Sequence, residues 1–283
     1  MNKISTLTGF RRIVMWATIG IATLAVISFA LYKLLAKPPP KYVTNISDSW
    51  AFRPPTGPAI GHLGGVPVFI PRAYANLMEY DGDPHFLEQR TEPPPQRSYQ
   101  SGIASFAFDL DFPSMKVREF LTHSSRTPEE RMNLLHVGIS SNSDYGSKGD
   151  EFLESLLSLS IYDEHPYPFA FKQLPNLTFG LISFAPIGVN LANRKAGHPD
   201  YGDRNIHFQR NSSQQVAIYI RCDNSPRLTS SCDMRFNMNP QLRAHVSVSF
   251  NKTLLRHWST IRFSVAKKIL EFRTNPAISS SSK

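Results

Sequence analysis

Charge of either sign is missing from Ile13 to Tyr32, and acidic residues are missing from the whole of the first 41 positions. Cysteine is scarce too, with Cys222 and Cys232 the only two in 283 residues. Each shortage excludes something. Two cysteines without further ligands at a recognisable spacing are too few for a structural zinc site. No cysteine closely follows the apolar run, which rules out lipoprotein processing. The patterns G-x-S-x-G, G-x-x-x-x-G-K-S/T, G-x-G-x-x-G and H-E-x-x-H are all absent, so no serine-hydrolase, nucleotide or zinc-protease signature is present. The nine histidines are scattered singly; His123, for example, has no partner at ligand or triad spacing. No cofactor is expected from any of this.

What is present begins with a basic excess. The net charge is +9, but Lys3, Arg11, Arg12, Lys33, Lys37 and Lys41 fall in the acid-free first 41 residues. Removing those six of 31 leaves 25 basic against 22 acidic residues downstream, or +3. The excess therefore brackets the apolar run, where it meets anionic headgroups. A nucleic-acid footprint would need a basic patch on the folded domain itself, and no nucleic-acid partner is expected.

The uncharged run IVMWATIGIATLAVISFALY spans about 30 Å as a helix, the thickness of a bilayer core. Trp16 and Tyr32 stand near its ends, where amphipathic rings favour the headgroup level. A cleavable signal peptide is the competing reading. The run is long for a signal core, and Lys33-Leu-Leu-Ala-Lys37 holds no A-x-A-like site. The expected organisation is a cytoplasmic stretch at 1–12 and a transmembrane helix at 13–32. A Pro-rich periplasmic tether follows at 33–60, then a globular domain at 61–274 and a flexible tail at 275–283. Six prolines lie in 36–58, a composition that favours extended chain. Flanking charges are nearly balanced across the helix, so orientation rests on the cysteines.

Val216-Ala-Ile-Tyr-Ile-Arg-Cys222 is β-branched and aromatic, Asp223-Asn-Ser-Pro226 has turn chemistry, and Cys232-Asp-Met-Arg-Phe236 returns. Cysteines on adjacent strands of such a hairpin come within disulfide reach. Two reduced buried thiols, or half of a metal site, are the alternatives. A disulfide implies an oxidising compartment and places the domain outside the cytoplasm, on the periplasmic side of a bacterial inner membrane.

Further strands are expected at Gly65–Ile70, Ser105–Phe112, Leu134–Ile139, Leu177–Phe184, Asn205–Gln209 and Ala244–Phe250. In the second, Phe106, Phe108, Leu110 and Phe112 point inward while Asp109 and Asp111 face outward. Asp150 is a possible cap for a short helix sharing Phe152, Leu156 and Leu159 on one face. Leu254, Trp258, Ile261, Val265, Ile269 and Phe272 recur at helical spacing, with Arg256, Arg262, Lys267, Lys268 and Arg273 off the stripe. The fold class is α+β: a mostly antiparallel sheet with a C-terminal amphipathic helix, preceded by one N-terminal transmembrane helix. Asp81 and Asp83 lie in a turn, Asp-Gly-Asp-Pro, that explains both acids. Four N-x-S/T sequons, Asn176 and Asn251 among their asparagines, fit chance.

Several stretches resemble a family of bacterial periplasmic immunity proteins encoded beside type VI secretion effectors, in particular partners of lipase effectors. They are Gly65-Val-Pro-Val-Phe-Ile-Pro-Arg-Ala-Tyr-Ala-Asn76, Glu79-Tyr-Asp-Gly-Asp-Pro84, Ser105-Phe-Ala-Phe108 and Val137-Gly-Ile139. Ile220-Arg-Cys222 with Cys232 and Phe236, Val246-Ser-Val248, Leu254-Leu255 and Trp258 complete the set. The resemblance implies a protein that binds a toxin and blocks it, without catalysis, the partner being encoded nearby. Loops rich in aromatics and charges are the candidate contacts: Tyr80, Asp81 and Asp83; Tyr145; Tyr201, Asp203 and Arg204. An accessory subunit of an envelope machine and an enzyme of unrecognised type are the competing readings.

Overall fold

Alternation of period two carries most of this fold. The computed structural model describes residues 56–84, 88, 93–118, 127–145, 149–161, 170–187, 204–224 and 227–274, all within one compact unit, Val43–Lys283. Its strands are β1 (Ala59–Leu63), β2 (Val66–Ile70), β3 (Asn76–Tyr80), β4 (Ile103–Asp111), β5 (Lys116–Arg118), β6 (Leu134–Ser141), β7 (Ala170–Gln173), β8 (Ile182–Ile187), β9 (Arg204–Arg210), β10 (Val216–Asp223), β11 (Ser231–Asn237) and β12 (Ala244–Asn251). The helices are α1 (Pro128–Met132), α2 (Phe152–Ile161) and α3 (Trp258–Leu270). The expected membrane segment 13–32, nearly all of the tether and the tail 275–283 lie outside the described residues. Among those described, no helix is long and apolar enough to cross a membrane.

β1 and β2 form a separate hairpin, and the other strands make one sheet in the order β3-β4-β6-β12-β11-β10-β9-β8-β7, with β5 on β4. Every strand pair in both sheets is antiparallel. From β7 to β12 neighbours in sequence are neighbours in space, and β12 then docks on β6, Ala244 opposite Ser141. That single junction unites the two halves of the sheet.

One face of the sheet is covered by α3. Its buried stripe of Trp258, Ile261, Val265 and Ile269 lies in the same core as Phe106, Phe108, Val137, Val248, Met234, Phe236 and Ile220. The expected C-terminal stripe is thus correct; Leu254 sits in the 3-10 turn Lys252–His257 before the helix and Phe272 just after it. Phe272 packs against Tyr74, Phe106 and Phe108 with ring centroids 5.2, 6.3 and 6.0 Å apart. At about 2 kcal/mol per large apolar side chain removed from water, this layer is the main source of stability. Beyond β10 the core changes face: Ile206, Phe208 and Tyr219 pack with Leu153 and Leu157 of α2.

The disulfide is formed. Cys222 and Cys232 are register partners on β10 and β11, bonded at 2.00 Å and essentially unexposed. Closing so short a loop stabilises by about 2–3 kcal/mol in the chain-entropy model.

Four local expectations are corrected. Leu177–Phe184 is not one strand: Thr178 and Leu181 exchange both backbone hydrogen bonds at 3.0 Å, and β8 starts at Ile182. Phe179 and Gly180 take left-handed φ of 53° and 83°, the twist a two-residue hairpin turn requires. In α2 the buried side chains are Leu153 and Leu157, while Leu159 is 51% exposed. The sheet beneath selects that side of the helix over the Phe152/Leu156/Leu159 stripe. Asp109 does lie opposite the phenylalanines, but it is buried, because His136 stands directly across from it on β6 with Nδ1 at 2.7 Å. Finally β1, Ala59–Leu63, straddles the expected boundary between tether and domain.

Candidate partner-binding surface

Antiparallel register decides which loops meet. Tyr80 pairs with Ile103, Ser105 with Ser140, and Ser141 with Ala244. The exit of β3, the entry of β4, the exit of β6 and the entry of β12 therefore gather at one end of the sheet. Each is then tied down. Asp83 accepts the Tyr80 N–H at 3.0 Å, closing the turn, and ion-pairs with Arg97, whose guanidinium lies 4.2 Å from the Tyr80 ring centroid. The Tyr80 hydroxyl donates to Ile60 O at 3.0 Å. Burial pushes that phenol above its ordinary range, with the Arg97 charge opposing and the Asp83 charge reinforcing the shift. Asp81 Oδ1 accepts the Ser143 N–H at 3.1 Å, and Asn142 Nδ2 donates to His62 O and Ile103 O, both at 2.9 Å.

Three residues on, Tyr145 stacks on His245 at 4.3 Å and 14°, and its hydroxyl accepts from Asn239 Nδ2 at 2.8 Å. The Arg243 guanidinium lies 5.3 Å from the centroid of that ring. Gly64, with φ of 55°, packs on Arg243 so closely that a Cβ would stand 2.5 Å from the arginine Cβ. The β1–β2 turn thus joins the same end.

Of the residues proposed from sequence, Tyr80, Asp81, Asp83 and Tyr145 fall on this one surface. Arg204 does not: it opens β9 opposite Asp223, at the far end of the sheet. Tyr201 and Asp203 lie outside the described residues. Tyr80 and Tyr145 are buried, so they brace the loops, and Asp81 is the exposed member. Sequence reasoning missed Arg97, Asn142, Ser143, Asn239 and Arg243. The Asn239-Pro240 turn signal marks one of them; the others carry no local signal.

A second feature is the sheet face away from α3. Over its centre the floor is made of small residues, Ser105, Ala107, Gly138, Ser140, Ser247 and Ser249. Its charges are internally matched: Asp233 with Arg235 at 3.0 Å and Arg221 at 3.9 Å, and Asp111 with Arg118 at 3.0 Å. Helix α2 covers the β9–β10 side of this face. Beside it lies an open depression of about 470 Å³ lined by Glu151, Glu154, Ser155, Ser158, Leu159, Gln215 and Val216. Arg210 holds Glu154 through two hydrogen bonds at 3.0 and 2.9 Å, which keep its carboxyl below the usual range.

One serine–histidine pairing lies in the interior. Ser183 Oγ and His207 Nδ1 lie 2.7 Å apart, but both residues are buried, which keeps the hydroxyl from any substrate. Burial, with the Lys252 charge adding to it, pushes His207 down to about 4. Among the described residues no group of three or more His, Cys, Asp or Glu side chains is placed to hold a metal ion. What these residues offer is a braced, multi-segment surface suited to docking.

No protein-family model matches the chain, and no curated protein does. Two solved structures align with the chain. An immunity protein of the Stenotrophomonas maltophilia type IV secretion system aligns with a TM-score of 0.50 at 17% identity, covering 79% of this chain and 98% of that one. The iron-regulated outer membrane lipoprotein FrpD of Neisseria meningitidis aligns with a TM-score of 0.38 at 10% identity, covering 83% and 100%. At these identities the first similarity establishes a shared fold.

Proposed function

We propose that this chain is a membrane-anchored periplasmic immunity protein that binds and neutralises a secreted antibacterial toxin. The observation that carries the reading is the end of the sheet where Asp81, Ser143, Tyr145 and Arg243 are locked together. Such a surface binds with little loss of conformational freedom, which is what tight inhibition of a protein partner needs. A fold shared with an immunity protein of a type IV secretion system supports it. The buried disulfide supports an oxidising compartment, and the uncharged run Ile13–Tyr32 supports an inner-membrane anchor with the N-terminus cytoplasmic. The toxin is a secretion-system effector, of the type VI lipase class by the sequence resemblance, and inhibition proceeds by occlusion without catalysis.

The test is a pull-down and titration calorimetry of the detergent-solubilised full chain against the product of the adjacent gene. Nanomolar binding, together with protection of a periplasm-targeted toxin strain, is the expected result. A neighbour that neither binds nor poisons the cell, or turnover of lipid by the purified chain, would refute it.

A further inference from the structure

The charge of the folded domain is segregated into one layer. Residues 56–76 and 252–274 together carry seven Lys and Arg (Arg72, Lys252, Arg256, Arg262, Lys267, Lys268 and Arg273) against one acid, Glu271. Taking these from the 25 basic and 22 acidic residues beyond position 41 leaves 18 against 21 for everything else. The layer is +6 and the remainder −3. The two segments are far apart in sequence but joined in space: Phe69 N–H donates to Phe272 O at 2.8 Å and Thr274 N–H to Pro67 O at 3.1 Å. The one acid is already matched, Glu271 pairing with Lys268 at 2.6 Å.

Within that layer an aromatic is left in water. Thr260, Phe263 and Lys267 follow steps of three and four, so they line the solvent side of α3, opposite its buried stripe, and Arg256 is exposed in the 3-10 turn just before it. Phe263 is 71% exposed and Phe69 42%. A helix back is convex. A protein partner would need a pocket to receive Phe263, whereas a headgroup layer accepts an aromatic between bases with no shaped complement. The chain also enters here, since Ala59 of β1 pairs with Ile70 of β2, the strand bonded to the end of α3.

We infer that the outer side of α3, with the β1–β2 hairpin, rests on an anionic phospholipid surface through Arg256, Lys267 and Arg273, with Phe263 in the headgroup region. The face of the sheet away from α3 then points away from the bilayer. This rests on the membrane-anchor part of the proposed function.

The experiment uses the full chain in nanodiscs of phosphatidylcholine alone or with one quarter phosphatidylglycerol, doped with a headgroup-nitroxide lipid. A fluorophore is placed by Thr260→Cys, exposed beside Phe263, or, on the opposite layer, by Leu159→Cys; the native cysteines are buried in their disulfide. The expected result is quenching at 260 at least about fivefold stronger than at 159, dependent on phosphatidylglycerol and lost at about 0.5 M salt, where screening is short-ranged. Reversal by Arg256→Glu with Lys267→Glu should weaken docking at least about tenfold, since each base at an anionic surface contributes roughly a fivefold factor. Equal quenching at both positions, indifference to lipid charge, or protection of 260 by the effector alone would overturn the inference while leaving the anchor intact. Recovery of the chain outside the nanodisc fraction would overturn both.

Discussion

Asp81 and Ser143, 62 residues apart, are joined by a hydrogen bond of 3.1 Å from the serine backbone to the aspartate Oδ1. That bond fixes the turn after β3 to the turn after β6. The same carboxylate leaves no room at Gly102, where a Cβ would stand 1.9 Å from Oδ2.

Asp81→Ala therefore frees one loop from the other. The expected cost is about 1 kcal/mol of stability, the worth of one partly solvated hydrogen bond, measured by urea denaturation. Gly102→Ala should act in the same direction by displacing the Asp81 carboxylate. If both variants match the wild type in denaturation midpoint, the brace is not formed in solution.

Loss of the disulfide in Cys222→Ala with Cys232→Ala should lower stability by at least about 2–3 kcal/mol, the loop-closure contribution. Both side chains are buried, so unfilled volume adds to the loss. Guanidinium unfolding with and without reductant gives the same comparison on the natural chain.

His207 makes the fold acid-sensitive. Its folded pKa is about 4, below the ordinary 6.5 of an exposed imidazole. The unfolded chain thus takes up a proton first. Stability from this group is complete above pH 6.5 and declines as pH falls from there through 4, by up to about 3 kcal/mol. His207→Gln should flatten the stability profile across that window, read by denaturation at stepped pH.

Phe108→Ala removes a ring that is fully buried and lies 5.3 Å from Tyr74 and 6.0 Å from Phe272, centroid to centroid. The expected loss is about 3–5 kcal/mol, a transfer plus cavity cost. Thermal unfolding followed by circular dichroism would show it as the largest shift of any variant here.

The strands most legible in the sequence were those with a clear period or a β-branched run: Phe106, Phe108 and Leu110 on β4, Ile218 and Ile220 on β10, Val246 and Val248 on β12. The C-terminal stripe was equally plain, because Trp258, Ile261, Val265 and Ile269 recur at the helical period. Failures came where period gave no answer. Leu177 and Phe179 look like strand residues, yet Phe179 and Gly180 form the turn. In α2, two overlapping leucine stripes fit the same helix, and only the sheet beneath, with Phe208 and Tyr219, selects Leu153 and Leu157.

The amino-acid sequence alone determined the uncharged run, the cysteine hairpin, the antiparallel class and the buried side of α3, since each follows from short-range periodicity, turn chemistry or composition. Tertiary structure decided which loops are neighbours and where charge collects. Tyr80 and Tyr145 fall at one end of the sheet while Arg204 lies at the other, and Phe69 is bonded to Phe272, because strand register, the docking of β12 on β6 and the seating of β2 against the end of α3 bring together residues up to about two hundred positions apart. No local propensity reaches that far; the apolar faces that must cover one another do.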